Sequence, residues 1–295
     1  MAYLYFSIQQ QAPLLGAFAE SPQATKGNLC YRHFPDGEIY LQILTDCKDQ
    51  EVIVLHTLSQ PDSDFLALLF LVTALKEQGA SRVGLVAPYL SYMRQDKIFK
   101  KGELLTSRVF ANLISQHFDW LLTVDPHLHR YKSLEEIYSI PCVTLHAAPL
   151  LHRWINENIA KPLLIGPDSE SAQWVEQASK NYGMPFLVLE KFRRGDRDVQ
   201  ISLPDVVQWR EYNPVLVDDI VSSGRTLLET IEQLQGLGFS TCSCVAIHGI
   251  FAEGSYEKIC ARGAEIFTAN TIVHPSNSID LNEFIIEAIE GFLLG

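Results

Sequence analysis

The chain has 295 residues, of which 47% are hydrophobic and 20% charged, enough for two ordinary domains with substantial cores. This composition excludes a disordered chain, and the net charge of -12 excludes a non-specific nucleic-acid binder, which needs basic surface to neutralise phosphates. The longest apolar stretch, Phe65 to Leu75, is interrupted by Thr73 and is too short to span a bilayer.

In chain order, the start Met1-Ala2-Tyr3-Leu4-Tyr5-Phe6 lacks a basic segment and a long apolar run, so no signal peptide is expected. Asp36-Gly37, followed by the alternation Glu38-Ile39-Tyr40-Leu41-Gln42-Ile43-Leu44, predicts a hairpin strand. Strands are predicted at Val52–Leu55, Arg82–Pro88, Trp120–Val124, Pro162–Gly166, Phe186–Leu189, Val215–Val217, Cys242–Ile247 and Glu265–Thr268. Several are unbroken Val/Ile/Leu runs, as expected when both faces of a sheet are covered. Helical spacing of apolar residues runs through Asp62–Gln78, Ser107–His117 and Thr226–Gln235, the first and last of which stop at Gly79 and Gly236. The last helix, Leu281–Leu294, is able to pack back on either half, the N-terminal one included.

Strand and helix alternate throughout, which predicts an α/β fold with mainly parallel sheets flanked by helices. The pattern runs through twice, so two tandem domains are expected, divided within 142–150 and placed at 1–145 and 146–295. Six cysteines, at 30, 47, 142, 242, 244 and 260, form no Cys-x-x-Cys pair. Buried free thiols in a reducing cytoplasm are the expectation.

In α/β sheets ligands bind at the carboxyl ends of strands, and the polar motifs lie there. Tyr89 to Lys97 includes Arg94-Gln95-Asp96, whose guanidinium and amide suit a phosphate and a base or ribose edge. The same residues also suit a solvated loop held by an Arg–Asp ion pair. Asp125-Pro126-His127-Leu128-His129-Arg130 is incomplete as a transition-metal ligand set. A histidine touching a magnesium–nucleotide or donating to a phosphate fits it better, with a hydrogen-bonded loop histidine as the alternative. Gly166-Pro167-Asp168-Ser169-Glu170-Ser171 leads from a strand into a helix, and Glu170 there complements the helix dipole.

Two further segments carry the strongest chemistry. Glu190-Lys191-Phe192-Arg193-Arg194-Gly195 is a cationic knot in an acidic chain, able to neutralise a transferring phosphoryl group, with Gly195 giving it freedom to move as a lid. An exposed surface loop is the alternative. Val215-Leu216-Val217-Asp218-Asp219-Ile220-Val221-Ser222-Ser223-Gly224-Arg225-Thr226 reads as strand, two acids, a small hydroxyl-rich loop and a helix start. Free N–H groups and the positive dipole end of a helix suit a phosphate, and carboxylates suit sugar hydroxyls or a phosphate-bound divalent cation.

These motifs together resemble those of the ribose-phosphate pyrophosphokinase family over nearly the whole chain. The resemblance is carried by Phe34-Pro35-Asp36-Gly37-Glu38, Pro88-Tyr89 with Arg94-Gln95-Asp96, Val124-Asp125 with His127, Pro167-Asp168, Lys191 with Arg193, and Val217-Asp218-Asp219 through Thr226. It implies two phosphoribosyltransferase-like domains with the active site between them. It also implies a homo-oligomer in which Phe34, Asp36, Gly37 and Glu38 reach the adenine of a neighbouring subunit's ATP. Arg94, Gln95, Asp96 and His127 would bind ATP, and His127 and Asp168 would contact its Mg2+. Asp218 and Asp219 would bind the ribose hydroxyls, with Ser222, Ser223, Gly224, Arg225 and Thr226 cradling the 5-phosphate of ribose 5-phosphate. Lys191 and Arg193 would be catalytic, Arg193 also contacting ribose 5-phosphate. Ser222 stands where the family often has a third acid, and Arg225 where it has a glycine. The implied reaction gives AMP and phosphoribosyl pyrophosphate. A phosphoribosyltransferase consuming that activated sugar, and a non-catalytic paralogue of the synthetase, are the other readings open at this stage. No nucleic-acid or membrane partner is expected.

Overall fold

The computed structural model describes residues 2–9, 14–166, 172–194, 198–202 and 209–294. The chain divides into two compact units, one formed by 1–146, 271–273 and 282–295, the other by 147–270 and 274–281.

The first unit holds β1 (Tyr3–Phe6), α1 (Leu14–Glu20), β2 (Ala24–Lys26), β3 (Leu29–His33), β4 (Ile39–Ile43), β5 (Glu51–Leu55), α2 (Pro61–Glu77), β6 (Arg82–Ala87), α3 (Thr106–His117), β7 (Trp120–Val124) and β8 (Cys142–Leu145). Its main sheet has the order β2-β1-β5-β6-β7-β8, and every neighbouring pair is parallel. Both faces are covered, so β5 and β7 are buried at every residue. Leu68, Leu71, Val72 and Leu75 of α2 pack with Val52, Val54, Val83 and Leu85 in one core. Burial of each such side chain stabilises the fold by about 1.5–3 kcal/mol.

The second unit holds α4 (Ala148–Asn158), β9 (Pro162–Gly166), α5 (Ala172–Tyr182), β10 (Phe186–Val188), β11 (Glu190–Arg194), β12 (Asp198–Ser202), β13 (Asn213–Val221), α6 (Arg225–Gly236), β14 (Cys242–Gly249), α7 (Ser255–Cys260), β15 (Ala264–Ala269) and β16 (Asn277–Ile279). Its sheet order is β10-β9-β13-β14-β15-β16, again parallel throughout. Numbered within its own unit and without the hairpins, each sheet therefore has the order 2-1-3-4-5-6. Each unit also places an antiparallel hairpin, β3–β4 or β11–β12, between its second and third sheet strands. The repeat expected from the strand–helix alternation is present at the level of topology.

The last helix, α8 (Asn282–Leu294), belongs to the first unit. Phe292 lies 5.1 Å from the Trp120 ring, and Glu290 accepts a 2.8 Å hydrogen bond from Ser21. All six cysteines are free, and Cys242 and Cys244 sit in the second core.

Three readings of the sequence need correction. Strands β1, β2, β3, β8, β12 and β16 lie outside the predicted strands. Residues 190–194 form an antiparallel strand, with Lys191 opposite Ile201 and Arg193 opposite Val199, rather than a loop. Strand β13 does not end at Val217 but runs through both acids to Val221.

Candidate active site

In the first unit the candidate residues follow the carboxyl ends of β6 and β7. Arg94 is exposed and Gln95 half-buried. The Gln95 carbonyl accepts a 3.0 Å bond from the buried Ser107 hydroxyl, and its side-chain oxygen accepts a 2.9 Å bond from Thr106. Both donors sit in the first turn of α3. Ser107 Oγ also lies 3.1 Å from the Tyr131 hydroxyl, which ties this segment to the one after β7. Asp96 makes a second tie. Its side chain is 1% exposed, and Oδ1 accepts from Arg130 Nη1 at 2.6 Å. Its Oδ2 is buried with no hydrogen-bond partner among the described residues. The structure thus gives Asp96 a protein partner, and that partner is Arg130.

Asp125 directly follows β7 with a left-handed φ of 34° and is buried. Its Oδ1 lies 3.0 Å from His146 Nδ1. That hydrogen bond to the carboxylate raises the His146 pKa against a smaller opposing effect of burial. His146 was missed in the sequence, although it directly follows β8 and the strand-end rule points to it. His127 is half-buried, its ring edge-on to His129 with centroids 3.7 Å apart.

The hairpin β3–β4 turns through residues 34–38. The Phe34 N–H donates to the Glu38 carbonyl at 2.8 Å, the Gly37 N–H to the Phe34 carbonyl at 2.9 Å, and the Glu38 N–H to Asp36 Oδ1 at 3.2 Å. Gly37 takes φ +93°, which suits glycine. Arg32 lies over both Phe34 and Tyr40, at 4.6 and 4.4 Å from the ring centroids. Phe34 nevertheless remains 39% exposed at the tip, an aromatic face offered outward.

In the second unit β13 delivers Asp218 and Asp219, both half-buried, and the Asp219 N–H donates to Asp218 Oδ1 at 3.0 Å. The turn is then only Ser222-Ser223-Gly224, and α6 begins at Arg225. Gly224 stands at the N-cap with φ 68°, and no side chain caps the helix. A helix start without a side-chain cap carries the positive dipole end that suits an anion. Lys191 and Arg193 lie on β11. Asp168, Glu170 and Gly195 fall outside the described residues.

A carboxylate pair at a strand end, an uncapped helix start beside it and a cationic hairpin can bind a phosphorylated sugar and a polyphosphate. Comparison with known families agrees with this chemistry. Residues 3–117 match the N-terminal domain of ribose phosphate pyrophosphokinase, and residues 133–270 match the phosphoribosyl transferase domain. The chain belongs to the ribose-phosphate pyrophosphokinase family. Curated relatives in this family include a ribose-phosphate pyrophosphokinase of Pyrococcus abyssi, 29% identical over 88% of this chain and 90% of that one. Another, from Methanosarcina mazei, is 29% identical over 95% of this chain and 92% of its own length. The crystal structure of phosphoribosylpyrophosphate synthetase from Mycobacterium smegmatis shares the fold, with a TM-score of 0.83 over 100% of both chains at 20% identity.

Proposed function

We infer that the protein is a ribose-phosphate diphosphokinase. It transfers the β,γ-diphosphoryl group of Mg-ATP to the C1 hydroxyl of ribose 5-phosphate, giving phosphoribosyl pyrophosphate and AMP. The observation that carries this reading is the β13–turn–α6 unit, with Asp218 and Asp219 beside an uncapped helix start, in a chain matching both of the family's domains.

In this reading residues 1–145 take the nucleotide and 146–295 take the acceptor. Ser222, Ser223, Gly224, Arg225 and Thr226 grip the 5-phosphate, and Asp218 and Asp219 take the ribose hydroxyls, which fixes the anomeric oxygen in place. That oxygen attacks the β-phosphorus, and AMP leaves. Such transfers need alignment and charge neutralisation more than covalent chemistry. Lys191 and Arg193 supply positive charge to the transferring group. Arg94, Gln95 and His127 hold the nucleotide, and Asp96 positions Arg130 beside them. Phe34, with Asp36, Gly37 and Glu38, offers the adenine a stacking face.

Among the described residues, no group of three or more His, Cys, Asp or Glu side chains forms a metal cage. This donor set suits magnesium carried in by the nucleotide, since the ion keeps waters and phosphate oxygens and needs one or two protein donors. His127 and Asp168 would hold it, His127 through a bound water or phosphate oxygen because imidazole is a poor donor to so hard an ion. When bound, magnesium neutralises charge on the polyphosphate.

A homo-oligomer fits the apolar surface between α2 and α3. Leu66, Leu104 and Val109 line a cleft of about 490 Å³ there and are 52%, 58% and 43% exposed. A cytoplasmic enzyme without nucleic-acid or membrane partners completes the reading. No helix among the described residues is long and apolar enough to cross a membrane. The test is AMP formation from ATP and magnesium with and without ribose 5-phosphate. AMP that depends on the sugar supports the reading, and a folded protein that forms none refutes it.

A further inference from the structure

The turn after β13 is held from behind by residues 249–256. The Val221 carbonyl accepts hydrogen bonds from the N–H groups of both Ile250 and Phe251, each at 3.0 Å. One residue further on, the Ser255 hydroxyl donates to the Ser222 carbonyl at 2.7 Å. Ser255 is 0% exposed. A serine at a helix start commonly serves its own helix, but this hydroxyl proton goes to a carbonyl 33 residues upstream. Gly224 fits against the same side chain: a Cβ built on it would lie 3.0 Å from Ser255 Cβ and 3.0 Å from Ile259 Cδ1.

The brace is itself in costly backbone. Phe251 and Glu253 have φ of 50° and 57°, the left-handed region that residues with side chains avoid. Such conformations persist where the surroundings over-determine them. Here the Phe251 ring lies 4.3 Å from His274 and 5.2 Å from Tyr256, and His274 Nδ1 is 2.8 Å from the Ser276 hydroxyl.

In a trans peptide the C=O and N–H point to opposite sides. Holding the Ser222 carbonyl toward Ser255 therefore turns the Ser223 N–H away from the brace. The two bonds to the Val221 carbonyl do the same for the Ser222 N–H. We propose that Ser255 is a positioning residue for the phosphate turn: its hydroxyl fixes the plane of the 222–223 peptide so that the Ser223 N–H faces a bound 5-phosphate. This rests on residues 222–226 being the ribose 5-phosphate turn.

The test compares the full-length protein with Ser255→Ala and Thr226→Ala. Ser255→Ala keeps the Cβ on which Gly224 packs, so it removes one hydrogen bond and no packing. Its calorimetric Kd and its KM for ribose 5-phosphate are expected to rise about fivefold, the worth of one net hydrogen bond. The KM for ATP should stay at its wild-type value, and the melting temperature should fall by only a few degrees, as the loss of one buried hydrogen bond requires. Unchanged ribose 5-phosphate affinity in Ser255→Ala, while Thr226→Ala loses it, would overturn the proposal. So would an equal rise in both KM values with a much larger fall in melting temperature, which marks a role in folding alone. Ribose 5-phosphate binding unaffected by Thr226→Ala would instead overturn the assignment of the turn itself.

Discussion

Arg130 Nη1 meets Asp96 Oδ1 at 2.6 Å, a direct tie between the segment carrying Arg94 and Gln95 and the segment carrying His127, alongside the one through Ser107 and Tyr131. The carboxylate is buried, whereas the guanidinium is 46% exposed. Losing the cation therefore strands a buried charge, while losing the acid leaves a cation still reached by water. Arg130→Ala is expected to destabilise the fold by about 1–3 kcal/mol, measured by urea unfolding. Adding Asp96→Asn should recover part of that loss, since a neutral amide is cheaper to bury. If the double variant is less stable than Arg130→Ala, the buried charge is not the cause.

Phe34 stands on the hairpin tip with Arg32 and Tyr40 behind it. Its exposure means that truncation removes little from the core. Phe34→Ala should leave the melting temperature unchanged and raise the KM for ATP about tenfold, in line with the roughly 1–3 kcal/mol that base–aromatic stacking contributes per base. An unchanged KM for ATP would remove Phe34 from nucleotide recognition.

Lys191 and Arg193 lie on a short antiparallel hairpin outside the parallel sheets. Losing a charge donor to a transferring phosphoryl group costs on the order of a hundredfold or more in turnover. Lys191→Ala is expected to show that loss in steady-state kinetics, with an unchanged circular dichroism melt. Near-normal turnover would take Lys191 out of the mechanism.

Asp125 raises the pKa of His146 through their hydrogen bond. Unfolding removes the carboxylate, so the folded value lies above the unfolded one of about 6.5. The stabilisation is full below the unfolded value and is lost as pH rises through the folded value. An NMR titration of the His146 ring should show the raised midpoint, and Asp125→Asn should lower it. A midpoint insensitive to Asp125→Asn would separate the two residues in solution.

Much of the frame was legible because burial leaves a periodic trace. The Val/Ile/Leu runs of β5, β7 and β9 and the helical spacing in α2, α3 and α6 follow from burial on two faces or one stripe. The strand-end rule pointed to the segments carrying Arg94 and His127, which do follow β6 and β7, whereas Asp218 lies within β13. Short or marginal strands left no such trace. Tyr3–Phe6 is four residues long, and β8 is a half-buried edge strand. Strand β11 has the composition Glu-Lys-Phe-Arg-Arg and is paired through its backbone to β12, which charge patterning does not reveal. Nor do partners distant in sequence announce themselves. Arg130 reaches Asp96 across 34 residues, and His146 reaches Asp125 across 21.

The central claim is the transfer of an intact diphosphoryl group, and labelled ATP tests it most directly. The protein would be incubated with magnesium, ribose 5-phosphate and ATP labelled with phosphorus-32 at either the α or the γ position. The account predicts that the γ label passes wholly into the sugar product and the α label wholly into AMP. Label from the γ position in free phosphate or pyrophosphate, or α label in ADP, would contradict it.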